Sequence, residues 1–217
     1  MTASALKGHD TMSLATGSMP PLPCDKRSTP FSADAFERAR HIRLLVLDVD
    51  GVMTHGHLLY QADGQESKQF NTQDGLGLKL LEEHGIQMGI ITGRCSPMVA
   101  LRAKELGITH LEQGRHDKST ALKALADQLG LPLSACAYCG DDLPDIGAIV
   151  SAGLGVSVPN APSYVREAAD HVTGRAGGDG AVRELCELLL QAQGHWEGIM
   201  ARYAGKSAEK KVPDFSG

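Results

Sequence analysis

Short apolar runs recur along the chain at 42–47, 87–91, 108–111, 135–139, 153–158 and 170–173, each about the length of one strand. Of these runs the first is continuous rather than alternating, as expected of a strand buried on both faces of a parallel sheet, and 170–173 is a candidate for a sixth strand. Helical patterns lie between them. Ser96 followed by Pro97 reads as a cap and first-turn proline for a helix that stops at Gly107. Asp117 reads as the cap of the next, whose Leu122, Leu125, Ala126 and Leu129 share one face before Gly130. A last helix over 181–193 carries Val182, Leu185, Leu188 and Leu189, and a short one over 32–40 precedes the first strand. Strands alternating with helices predict an α/β fold, a parallel sheet covered on both faces. Ligands then bind beyond the carboxyl ends of the strands.

One segment interrupts the alternation. Residues 57–70 hold two short strand-like runs around Asp63-Gly64, a hairpin signal inserted after the first strand. A lone hairpin is marginal in water, so Leu58, Leu59, Tyr60 and Phe70 are expected to pack on something. Residues 1–32 are rich in Ser, Thr, Gly, Pro and Ala and read as a disordered tail. The expected division is therefore a tail over 1–32, one domain over 33–194, and a polar C-terminal tail over 195–217.

At 217 residues the chain can bury a core without a disulfide or metal staple. Its formal net charge of −5 lacks the basic stripe that nucleic acid demands. No run approaches the roughly 20 apolar residues that span a bilayer. No secretory leader is legible, so the expectation is a cytoplasmic protein with neither nucleic-acid nor membrane partner. The five cysteines form no regular framework. Cys136 and Cys139 fall on opposite faces of a strand and read as small buried hydrophobes.

Four element ends deliver polar residues together. Asp48 and Asp50 follow the first strand, two apart in extended chain and so projecting the same way, and Gly51 lets the backbone turn. Thr92-Gly93-Arg94 follows the second strand. Lys118 stands in the first turn of a helix, where a cation opposes the helix dipole and is useful only toward an anion. Gly140-Asp141-Asp142 follows the fourth strand, with Asp145 beyond. Asp48, Asp141 and an oxygen of the 48–51 turn suit Mg²⁺, which takes oxygen ligands. Asp48 is then placed to attack phosphorus and Asp50 to move the proton. Thr92 can hold phosphoryl oxygens and Lys118 adds charge stabilisation. Asp142 reads as a cap or loop support. His55 and His57 have no third ligand at zinc spacing.

These motifs, in this order, resemble those of the haloacid dehalogenase superfamily. Residues 48–54, 68–71, 74–75, 91–94, 140–142 and 177–184 are similar to those of its branch of 3-deoxy-D-manno-octulosonate 8-phosphate (KDO-8-phosphate) phosphatases, over roughly 41–194. The resemblance implies a Rossmann-like three-layer core with no separate cap domain. It further implies a homotetramer joined through its hairpins, and a small phosphorylated sugar acid as substrate. Asp48, the carbonyl of Asp50 and Asp141 would hold Mg²⁺. Asp50, Asn71, Thr72, Gln73, Asp74, Gly75, Lys79, Arg94, Arg102 and Lys118 would line the substrate site. His55, Gln73 and Asp179 depart from the branch's pattern. A 2-keto-3-deoxynononic acid 9-phosphate phosphatase shares the motifs and remains an alternative. A phospho-accepting receiver domain also gathers acids, a Thr and a Lys on a parallel sheet, but has no use for Asp50.

Overall fold

A computed structural model describes residues 31–205. The N-terminal tail assigned to 1–32 lies outside them, apart from its last two residues. Those two belong to the fold: Phe31 is buried, and the Ser32 hydroxyl accepts from Ala35 N at 3.1 Å to cap α1 (Ala33–Ala39).

The chain then alternates as its apolar pattern predicts. β1 (Leu44–Leu47) is buried at every residue and sits mid-sheet. An antiparallel pair follows, β2 (Leu59–Tyr60) against β3 (Glu66–Ser67), with Gly64 at positive φ in its turn. Next come α2 (Thr72–Glu83), β4 (Gln87–Ile91), α3 (Pro97–Leu106), β5 (His110–Glu112) and α4 (Lys118–Gln128). The chain closes with β6 (Cys136–Gly140), α5 (Ile146–Ser151), β7 (Leu154–Ser157), α6 (Ser163–Glu167), β8 (His171–Val172), α7 (Ala181–Ala192) and α8 (Trp196–Tyr203). The main sheet has the order β5-β4-β1-β6-β7-β8, with every pair parallel. α1, α2 and α7 pack together on one face, and α4 and α5 cover the other.

Two expectations change. Ser96 precedes α3 as expected, but its side chain makes no cap hydrogen bond; proline at the first turn supplies the start instead. The polar tail assigned from 195 onward begins with α8, whose Ile199 is buried and whose Trp196 packs on the core. Gly194 only turns the chain, with φ +77, and the apolar pair three residues apart then returns to the core. Residues 206–217 lie outside the described residues. Among those described, Cys95, Cys136, Cys139 and Cys186 are free, the last three buried.

The register decides where the chemistry falls. Leu47 stands beside Ile90 on one side and Cys139 on the other, and Asp48 N donates to Cys139 O at 3.0 Å. Asp48, Thr92 and Asp141 therefore leave three adjacent strands at nearly the same level.

Candidate active site

An open cleft of about 340 Å³ lies over those strand ends, lined by Asp48, Asp50, Thr92, Arg94, Lys118 and Asp141 among others. After Asp48 the chain winds tightly, with the N–H groups of Val52, Met53 and Thr54 all donating to Val49 O. Gly51 has φ +104, and a Cβ there would overlap the Asp141 carboxylate. Glycine is thus required twice, by conformation and by space.

Lys118 is only 5 % exposed and donates to Asp48 Oδ1 and Asp145 Oδ1, each at 2.7 Å. Burial alone would lower its pKa, but the two carboxylates outweigh that and leave it raised, so it stays an ammonium. Burial pushes Asp48 up to about 6, with Lys118 opposing the rise. Asp141 is pushed up to about 8, first by burial and then by the charges of Asp48 and Asp145.

Asp48, Asp141 and Asp145 have carboxylate oxygens within 4.8 Å of one another, the only such cluster among the described residues. Their burdens differ. Asp145 accepts from Lys118 and from Tyr138 OH (2.7 Å) on Oδ1, and from the N–H groups of Asp141 (3.2 Å) and Asp142 (3.1 Å) on Oδ2. Its oxygens are occupied, so it organises the loop and orients Lys118. Asp141 Oδ1 is instead buried without a partner. An orphaned carboxylate oxygen among crowded acids fits a hard dication with oxygen ligands, which relieves their repulsion. Asp142 caps a 3₁₀ turn at Leu143–Asp145, as expected of a loop support. His55 pairs with Asp179, Nε2 to Oδ1 at 2.9 Å, and stacks on His57.

Asp50 meets the β2–β3 hairpin. Lys68, next after β3, contacts Asp50 Oδ1 and lies 3.0 Å from Glu66 Oε1. Arg94 Nη2 donates to Glu66 Oε2 at 2.8 Å, and its Nε is 3.7 Å from Asp50 Oδ2.

The remaining sequence-derived substrate residues gather elsewhere. Asn71 caps α2 and donates from Nδ2 to Gly178 O at 3.1 Å; Thr72 opens the helix; Gln73 Oε1 accepts from Arg175 Nη1 at 3.0 Å. Asp74 Oδ1 accepts from Arg183 N at 2.7 Å, and burial pushes its carboxyl up to about 6. Arg102 packs against Gly75 and donates to Asn71 O at 3.3 Å, while Lys79 pairs with Glu82 at 3.0 Å. Asn71, Thr72, Gln73, Asp74, Gly75, Lys79 and Arg102 do not line the cleft around Asp48 in a single chain. Asn71, Gln73 and Asp74, at the start of α2, meet the 174–183 segment, while Arg102 comes from α3.

Sequence reasoning missed several supports. Tyr138 was hidden in an apolar run. Lys68 and Glu66 alternate on an extended strand, a signal visible once that strand is known to face the cleft. Asn160 links the nucleophile turn to the glycine segment, donating to Gly51 O at 3.0 Å and accepting from Gly177 N at 2.8 Å. A lone loop asparagine carries no sequence signal.

Comparison with known proteins agrees with this architecture. The model of the haloacid dehalogenase-like hydrolases matches residues 107–185. The 3-deoxy-D-manno-octulosonate 8-phosphate phosphatase KdsC of Escherichia coli K12 is 46 % identical over 165 residues, covering 76 % of this chain and 88 % of that protein. The KdsC of Haemophilus influenzae is 41 % identical over 158 residues, covering 73 % and 88 %. A crystal structure of the Moraxella catarrhalis phosphatase, in complex with magnesium, phosphate and KDO, superposes with a TM-score of 0.77. It is 50 % identical and covers 78 % of this chain and 98 % of that one. Fold and site together define a haloacid dehalogenase-like hydrolase acting on phosphoric monoesters. Within that superfamily, the chain belongs to the family of the 3-deoxy-D-manno-octulosonate 8-phosphate phosphatases. Among the described residues, no helix is long and apolar enough to cross a membrane.

Proposed function

We propose that this chain hydrolyses KDO-8-phosphate to KDO and phosphate with Mg²⁺ as cofactor, a cytoplasmic step of lipopolysaccharide biosynthesis. The observation that carries the mechanism is the buried Lys118 bridging Asp48 and Asp145 beside the orphaned Asp141 oxygen. Asp48, Asp141 and the Asp50 carbonyl would hold the metal, which supplies charge neutralisation for an incoming phosphate. An Asp48 oxygen attacks phosphorus, the bond from phosphorus to the ester oxygen breaks, and that oxygen takes a proton from Asp50. Water then attacks the phosphoryl group on Asp48, gives a proton back to Asp50, and leaves phosphate with Asp48 regenerated. Lys118 keeps Asp48 oriented, and Thr92 with nearby N–H groups binds phosphoryl oxygens. Arg94, on the cleft wall, pairs with the sugar acid's carboxylate.

We also propose a homotetramer joined through the hairpins, because Leu58, Leu59 and Tyr60 are exposed and the α2 residues need a neighbouring chain to serve a pocket.

With Mg²⁺, the protein should release phosphate from KDO-8-phosphate far faster than from glucose 6-phosphate, 4-nitrophenyl phosphate or 2-keto-3-deoxynononic acid 9-phosphate. Equal rates would sink the substrate assignment. Asp48→Asn, or chelation of Mg²⁺, should abolish turnover, and activity retained in Asp48→Asn would remove the covalent mechanism.

A further inference from the structure

Glu66 and Lys68 are alternate residues at the second hairpin strand, so both project to one side, and that side meets Asp50. The Lys68 side chain is only 2 % exposed. Ordering a lysine this far costs rotamer entropy, besides desolvation of its charge. It stands against both acids, donating to Asp50 Oδ1 and lying 3.0 Å from Glu66 Oε1. Packing could be met by an apolar residue at this position, so the placement of the charge calls for another reason.

The geometry around Asp50 supplies one. Lys68 takes Oδ1, while Arg94 Nε stands 3.7 Å from Oδ2, beyond hydrogen-bond length. Glu66 ties the two cations together, at 3.0 Å from Lys68 and 2.8 Å from Arg94. One carboxylate oxygen is thus anchored, on a side chain that lines the cleft.

We propose that Lys68, braced by Glu66, is a positioning residue that anchors Asp50 through Oδ1 and leaves Oδ2 to pass the proton to the leaving oxygen. This rests on reading Asp50 as the acid. A misaimed acid harms a poor leaving group, such as a sugar alkoxide, far more than 4-nitrophenolate, which departs without a proton. A general fault in folding or phosphate binding harms both alike.

The test compares kcat/KM for KDO-8-phosphate and 4-nitrophenyl phosphate across four variants, beside melting temperature. Lys68→Met should lose about 100-fold on the sugar ester and under about 5-fold on the aryl ester, the size expected for a misplaced general acid. Lys68→Arg should recover at least about 10-fold of the sugar-ester loss, since a cation again reaches Oδ1. Equal losses on both esters, or full sugar-ester activity in Lys68→Met, would overturn the proposal. Should Lys68→Met fail to fold, Glu66→Gln decides: selective loss on the sugar ester supports the brace, and unselective loss or none overturns it. Asp50→Asn is the control, because an unselective loss there would remove Asp50 as the acid and not merely Lys68 as its anchor.

Discussion

A single ammonium facing three carboxylates organises the site at the residue scale. Lys118 holds Asp48 and Asp145, and Asp145 holds the loop that presents Asp141. The strand-end acids were legible because each follows an apolar run and projects from a known edge. The division of labour among them was not, since Asp145 lies 27 residues from Lys118 and four from Asp141 and could have served either as ligand or as support. Asp74 offers a test by pH. Its folded pKa, about 6, lies above its ordinary value near 3.8 because burial disfavours the charge. The folded state therefore holds that proton more tightly than the unfolded one. The stability it contributes is full below about pH 4 and is lost as pH rises through about 6. Asp74→Asn cannot titrate, and its amide oxygen can still accept from Arg183 N. Its stability relative to the parent should climb between pH 4 and 7 by up to about 3 kcal/mol. Urea unfolding across that range checks it, and a flat difference would contradict the assignment.

Among elements, the strands of the main sheet were readable and several helices were not. β1 is an unbroken apolar run, and β4 is one after its exposed Gln87, so their burial needs no partner's pattern to recognise. α2 carries Gly75 and Gly77, poor helix formers, and its stability comes from packing on α7, where a Cβ at Gly77 would press on Arg183 and Cys186. The glycine segment before α7 is explained at this scale. A Cβ at Gly177 would overlap the Gly51 carbonyl, so the segment can close on the nucleophile turn only with glycine there. Gly177→Ala should destabilise the protein by about 1–3 kcal/mol or more, as overpacking does, and displace the Asp48–Gly51 turn. Thermal melting should fall together with phosphate release; unchanged activity would mean that the two segments are not coupled.

For the whole molecule, two observations remain unbalanced in a single chain. The residues from Asn71 to Lys79 do not reach the cleft, and the hairpin exposes Leu59 at 63 % and Tyr60 at 58 %. The proposed hairpin-mediated assembly would account for both. Leu59→Asp should shift sedimentation from tetramer to smaller species and lower kcat/KM at least about tenfold, as expected when a charge is buried at an interface core. A parent protein that sediments as a monomer would end that reading. By itself the sequence determined that a parallel sheet forms and which edge carries the carboxylates, because strand length, apolar continuity and the residue after each strand are local properties of the chain. Only the tertiary structure decided that Lys68 meets Asp50, that Asp145 is spent on Lys118 and Tyr138, and that α2 turns its polar start toward the 174–183 segment. Those partners lie 7 to 109 residues apart, and their meeting depends on sheet register and helix packing rather than on any local period.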